Sequence, residues 1–81
     1  MENRLAVIAI VVEDLSASKE MNEVLHEYSE FIIGRMGIPY RSKKVSLVSV
    51  ALDASEETIN ALTGKLGNIK GLNAKAAFSK K

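Results

Sequence analysis

Two stretches of this chain are apolar on nearly every residue, Leu5-Ala6-Val7-Ile8-Ala9-Ile10-Val11-Val12 and the run from Val45 to Leu52, and they govern what the whole can become. Branched side chains with no regular polar alternate suit strands covered on both faces. Two such strands belong in the middle of a sheet, and something has to lie on each side of them. The chain supplies little with which to do it. With 81 residues it buries only about 60% of its unfolded surface, while ordering costs about 1.5 kcal/mol per residue, so one copy alone is marginal. Cys 0 removes disulfides, and with a single histidine, His26, the Cys/His sets of structural zinc, iron–sulfur clusters and Cys–His nucleophile pairs are out of reach. Association between copies is what remains to stabilise the fold.

The other segments read in order. Asp14-Leu15-Ser16-Ala17-Ser18 is rich in capping side chains, and Met21, Val24, Leu25, Tyr28 and Ile32 follow at spacings of three and four, which predicts an amphipathic helix reaching Ile32. Gly34 is expected to break it. The segment Arg35 to Tyr40 then predicts a short strand with Met36, Ile38 and Tyr40 on one side and Arg35, Gly37 and Pro39 on the other; Pro39 places it at a sheet edge. Arg41-Ser42-Lys43-Lys44 is a connection of hairpin length leading to Val45–Asp53, where Val48, Val50 and Leu52 alternate with Val45, Leu47, Ser49 and Ala51. Ser55 caps a second helix with Glu56 and Glu57 in its first turn and Ile59, Leu62 and Leu66 as its stripe, ending at Gly67. After Gly71, Leu72, Ala74, Ala76 and Phe78 alternate with Asn73, Lys75, Ala77 and Ser79 as a half-buried last strand.

The resulting order, βαββαβ in one domain over 1–81, predicts an α+β ferredoxin-like sandwich with an antiparallel sheet ordered 4-1-3-2 and both helices on one face. Strands one and three then fall in the centre, as their composition asks. The other face is left to present Val45, Leu47 and Ala51, with one alternating set from Leu5–Val12, to a partner. A second copy is the expected cover, giving a dimer or tetramer.

Charge and motifs exclude more than they assign. Eleven Lys+Arg against ten Asp+Glu leave a net charge of +1, a balance that makes neither nucleic acid nor a membrane surface the expected partner. An apolar run of eight is far short of the roughly 20 residues of a membrane-spanning helix, and no small-residue cleavage site follows it, so the chain reads as cytoplasmic. His26 falls on the polar side of its helix among Lys19, Glu23 and Glu30, a solvated position without the ligand count a metal needs. Gly34-Arg35-Met36-Gly37 has the spacing of a backbone-clamping GxxG loop but runs on into an extended Ile38-Pro39-Tyr40, so it reads as a tight exit from helix to strand. The Gly64–Gly71 segment lacks the phosphate-loop spacing and lies at a helix end. No Ser/His/Asp set, carboxylate pair or nucleophile elbow is present, so neither catalysis nor a cofactor is expected.

Gly34-Arg35-Met36-Gly37-Ile38-Pro39-Tyr40 and Asn60-Ala61-Leu62-Thr63-Gly64-Lys65-Leu66-Gly67, with an opening strand that ends Val11-Val12-Glu13-Asp14, resemble the iron-only hydrogenase system regulator family over nearly the whole chain. Those small proteins are similar to ACT domains and to the ligand-sensing domain of the nickel-responsive regulator. The resemblance implies a ferredoxin-like fold, oligomers built through sheets and a regulatory role, without naming an effector. The nickel domain's histidines and cysteine have no counterpart here, so its metal site does not carry over. The expectation is a self-associating regulatory module that takes a small effector or a protein partner in a subunit-interface pocket. Asp14 and Ser16 at the first turn, with Arg35, Gly37 and Tyr40 on the edge segment, are its candidate lining, Arg35 offering a bidentate contact to a carboxylate. The alternative is an interaction protein whose apolar face docks a maturation or redox partner with no small ligand.

Overall fold

The computed structural model describes residues 2–81. Six elements follow one another: β1 (Asn3–Val12), α1 (Ser18–Glu27), β2 (Ile32–Tyr40), β3 (Val45–Ser55), α2 (Glu56–Gly67) and β4 (Leu72–Phe78). The strands form one antiparallel sheet in the order β2-β3-β1-β4, which is the 4-1-3-2 order read from the other edge. The two strands with apolar residues on both sides, β1 and β3, are central, and the strand holding Pro39 is an edge.

Register decides which side chains are covered. Ile8 lies opposite Val50 and Ile10 opposite Val48 on β1 and β3, and these alternate residues turn toward the helices. With Val12 and Leu52 they pack into a core with Met21 and Leu25 from α1 and Ile59, Leu62 and Leu66 from α2. Each fully buried aliphatic side chain is worth about 1.5–3 kcal/mol, and this single layer holds the fold together.

Local signals account for most of the ends. The Ser55 hydroxyl accepts the Thr58 amide at 3.1 Å and starts α2, Glu56 and Glu57 sit in its first turn, and the helix closes at Gly67. Asp14 ends β1 by accepting the Ser16 amide at 3.0 Å and the Ser16 hydroxyl at 2.7 Å, which opens a short 3-10 turn before α1. Gly71 is required where it stands. Its φ is +93°, its carbonyl accepts the amides of Glu13 and Asp14 at 2.8 and 3.2 Å, and a Cβ there would come 2.6 Å from the Asp14 Cβ.

The first helix differs from its expected extent. It ends at Glu27, a 3-10 turn over Ser29–Phe31 follows, and Ile32 is the first residue of β2 instead of the last of the helical stripe. A spacing of four from Tyr28 to Ile32 fits either path, because the turn delivers Ile32 to the same core from a different element. Gly34 and Gly37 correct a second expectation. They lie inside β2, opposite Ala51 and Val48, with a register shift between Ile32 and Gly34. Gly71 holds the positive φ among the glycines, so the GxxG segment is edge strand and not a helix exit.

Candidate functional site

The face of the sheet away from the helices is built from the odd-numbered residues of the two central strands. Leu5 and Val7 of β1 pair across to Asp53 and Ala51 of β3, and Leu47 pairs with Val11 on one side and Ile38 on the other. No helix among the described residues covers this face. Leu5 is 50% exposed, Leu47 47%, Ile38 52% and Met36 63%, values that belong to side chains standing on an open surface. Of the residues expected at an interface, Leu47 is exposed, while Val45 and Ala51 are half-buried by their neighbours on the same face. The surface is grooved. Leu5, Val7, Ile33, Ala51, Ala77 and Phe78 line a depression of about 360 Å³ at one end, and Val7, Gly34, Arg35, Met36, Ser49 and Ala51 line one of about 270 Å³ beside it. Next to the larger groove Arg4 ties the strand ends together: its Nη1 meets Glu56 Oε1 at 2.9 Å, its Nη2 donates to the Ser79 carbonyl at 3.0 Å, and its guanidinium lies 4.7 Å from the Phe78 ring centre.

The five residues expected to share one pocket are divided among three places. Asp14 and Ser16 are occupied with each other, and Asp14 lines a recess of about 460 Å³ with Glu13, Leu15 and Lys44. The hydrogen bonds donated by the Ser16 hydroxyl and then its amide hold the Asp14 carboxyl below its ordinary value. Tyr40 pairs with Val45 and stands on the open face. Arg35 and Gly37 belong to the opposite alternation of β2, paired with the core residues Val50 and Val48. Arg35 therefore turns to the helix side, where its Nη2 donates to Asn22 Oδ1 at 3.0 Å.

That turn creates a site the sequence reading did not assemble. Asn22, Leu25, His26 and Ser29 fall at spacings of three, four and seven, and with Ile32 and Arg35 they line a cleft of about 340 Å³ between α1 and the β2 edge. The spacing was a signal, but His26 alone on a polar face suggests only a solvated residue until the edge strand is placed beside it. Among the described residues no group of three or more His, Cys, Asp or Glu is gathered as a metal would need. No helix among them is long and apolar enough to cross a membrane.

Fold and surfaces together define a ferredoxin-like α+β protein with one helix-covered face and one bare apolar face. The comparisons place it further. Residues 4–76 match the TM1266-like family model, described as "Iron-only hydrogenase system regulator, putative", and the chain belongs to that family. A solved structure of an uncharacterized protein from Thermotoga maritima is 38% identical and superposes with a TM-score of 0.92 over 98% of this chain and all of that one. A Saccharolobus solfataricus protein described as "Putative nickel-responsive regulator" is 29% identical over 66 residues, 82% of this chain and 49% of the relative, so the match spans about half of that protein's length. The C-terminal domain of the MgtC protein from Mycobacterium tuberculosis has the same fold at 8% identity, with a TM-score of 0.76 over 96% of this chain and 89% of that one.

Proposed function

We propose that this chain is a regulatory module that acts as a homo-oligomer, copies closing on one another through the open sheet face, and that the assembly takes a small effector. The observation that carries the reading is the row of large apolar side chains left bare on that face: Leu5, Val7, Met36, Ile38, Tyr40 and Leu47. Soluble monomers seldom leave so continuous an apolar patch in water.

Size and charge favour a second copy as the cover. Four strands about 4.8 Å apart, seven to eleven residues long at about 3.3 Å each, give a face of roughly 500–700 Å² in plan before side-chain relief. A standard interface takes about 800 Å² from each partner, so one face against its twin is of the right order. The charged side chains of that face, Lys75 on β4 and Asp53 on β3, have opposite signs, so a copy can turn over onto another without stacking like charges. The family's regulator description supports the regulatory role.

Sedimentation equilibrium of the chain over a range of concentrations tests this reading. A dimer or tetramer that falls apart in Leu47→Asp supports it. A monomer at all concentrations overturns self-association and leaves the alternative, in which the same face docks a different protein.

A further inference from the structure

We propose that the cleft between α1 and the β2 edge is a carboxylate site, and that its ligand is a small monocarboxylate with a short apolar tail. The inference rests on the reading of the chain as an effector-binding module and supplies the place and chemistry of the effector.

Arg35 is the anchor. It is exposed, and neither ion pair among the described residues, Arg4–Glu56 and Lys65–Glu27, includes it. A guanidinium carries five N–H donors in a planar fork. One of its donors is committed: Nη2 donates to the Asn22 side-chain oxygen at 3.0 Å. That bond takes one of the two Nη2 hydrogens, holds the guanidinium against α1 and leaves one of its two donor edges, Nη1–Nη2 or Nε–Nη2, whole for a ligand. Arginine held by one neutral acceptor and lacking a carboxylate of its own is prepared for a two-point contact with a carboxylate from outside.

The rest of the cleft supplies both ends of such a ligand. His26 and Ser29 add an imidazole and a hydroxyl to the rim beside Arg35. Leu25 is buried and Ile32 half-buried, so the floor is apolar. A cavity of about 340 Å³ lies at the small end of ligand-site volumes. Asn22, His26, Ser29 and Arg35 beside the aliphatic Leu25 and Ile32 distinguish this cleft from the larger groove of the open face, which is lined almost entirely by apolar residues.

The location also sets the site apart from most of the association surface, Arg35 alone lining the smaller open-face groove as well. Arg35 lies opposite Val50 and so on the helix side, while its neighbour Met36 lies opposite Ser49 on the open side. Ligand and partner copy would therefore meet successive residues of one strand from opposite faces.

Butyrate is the probe, with n-butanol as its uncharged counterpart and inorganic phosphate as an anion without a tail. The ¹⁵N-labelled full chain is titrated with each and amide shifts are followed. The expected result is saturable movement confined to residues 22–35 with butyrate, none with n-butanol, and weaker binding of phosphate. Arg35→Gln should weaken butyrate binding about tenfold or more, the scale of a charge-assisted hydrogen bond, with Arg35→Lys in between because it keeps the charge and loses the fork. If Arg35→Gln does not fold, Arg35→Lys and Asn22→Ala carry the comparison. Shifts elsewhere, butyrate binding unchanged in the variants, or no saturation would overturn the site, and phosphate binding as tightly as butyrate would overturn the ligand class. The mass of each sample is measured alongside. A wild-type assembly that shows no saturable butyrate binding defeats the site alone, whereas monomeric wild type that still binds butyrate defeats self-association alone.

Discussion

Replacing Leu47 by aspartate separates the two faces of the sheet most sharply. Leu47 stands between Val11 and Ile38, and 47% of its surface is still exposed in a single copy. Full burial of a leucine is worth about 1.5–3 kcal/mol, so covering the remaining half contributes about 0.7–1.4 kcal/mol in each copy. A two-fold interface buries the residue twice, for a total of about 1.5–3 kcal/mol, or a ten- to 150-fold change in dissociation constant. The new carboxylates add to this, since an uncompensated buried charge costs about 3–5 kcal/mol. Leu47→Asp should therefore weaken association by at least about a thousandfold when the two contributions are combined. Inside one copy the residue points away from the helix-side core, so the sheet need not be disturbed, and any loss of thermal stability should track the loss of assembly. Sedimentation across micromolar concentrations, with circular dichroism on the same samples, measures both. A variant with wild-type mass and melting temperature would refute the argument that this face is covered by a second copy, and Val7→Asp provides an independent check on the neighbouring strand of the same surface.

Three local features carry their own expectations. Ser55→Ala removes the oxygen that accepts the Thr58 amide and should cost about 1 kcal/mol, lowering the melting temperature by about 4–8 °C. Gly71→Ala should cost about 1–2 kcal/mol for the positive φ and more for the Cβ against Asp14, whereas Gly37→Ala, whose Cβ would meet the Val48 Cγ2 at an ordinary 3.9 Å, should be much milder in thermal melts. The Asp14 carboxyl, lowered by the Ser16 hydroxyl and amide, stabilises the turn at pH above the ordinary carboxylate range and loses that contribution as pH falls through its depressed value. An NMR titration of its side-chain carbon should show Ser16→Ala raising it toward the ordinary value, and an unmoved titration would refute the assigned cause.

Central strands, both helix stripes and the Ser55 cap were legible because each is a local pattern: runs of branched apolar residues, spacings of three and four, a hydroxyl before two glutamates. The end of α1 was not. Tyr28 and Ile32 keep helical spacing although a 3-10 turn intervenes, since both arrangements bring them to the core and periodicity records only that demand. Alternation also separated Arg35 from Met36 without saying which faced the helices, because an edge strand with glycines at 34 and 37 has no buried set of its own to mark the inside. Pairing with Val48 and Val50 settles it. The cleft lay further out of reach, since Asn22, His26 and Ser29 line one only when the edge strand β2 runs alongside them.

The strand that joins the two surfaces gives the last prediction. In β2, Arg35 reaches the cleft and Met36, Ile38 and Tyr40 reach the open face, so a ligand that fixes the backbone at 35 also fixes how the next residue is presented to a second copy. Coupling between two binding equilibria is reciprocal: whatever factor the ligand applies to association, association applies to ligand affinity. Butyrate at saturation is therefore expected to change the dissociation constant of the assembly by about fivefold or more, the lower end of ordinary coupling. The butyrate affinity of Leu47→Asp monomers should then differ from that of the wild-type assembly by the same factor and in the corresponding direction. Sedimentation with and without butyrate gives the first ratio, and titration of the two proteins gives the second. Two ratios near one would mean that the cleft and the open face are independent and that the effector does not act through assembly. Ratios that disagree beyond error would mean that Leu47→Asp reaches the cleft through β2, with which it pairs at Ile38, and would refute the reciprocal coupling.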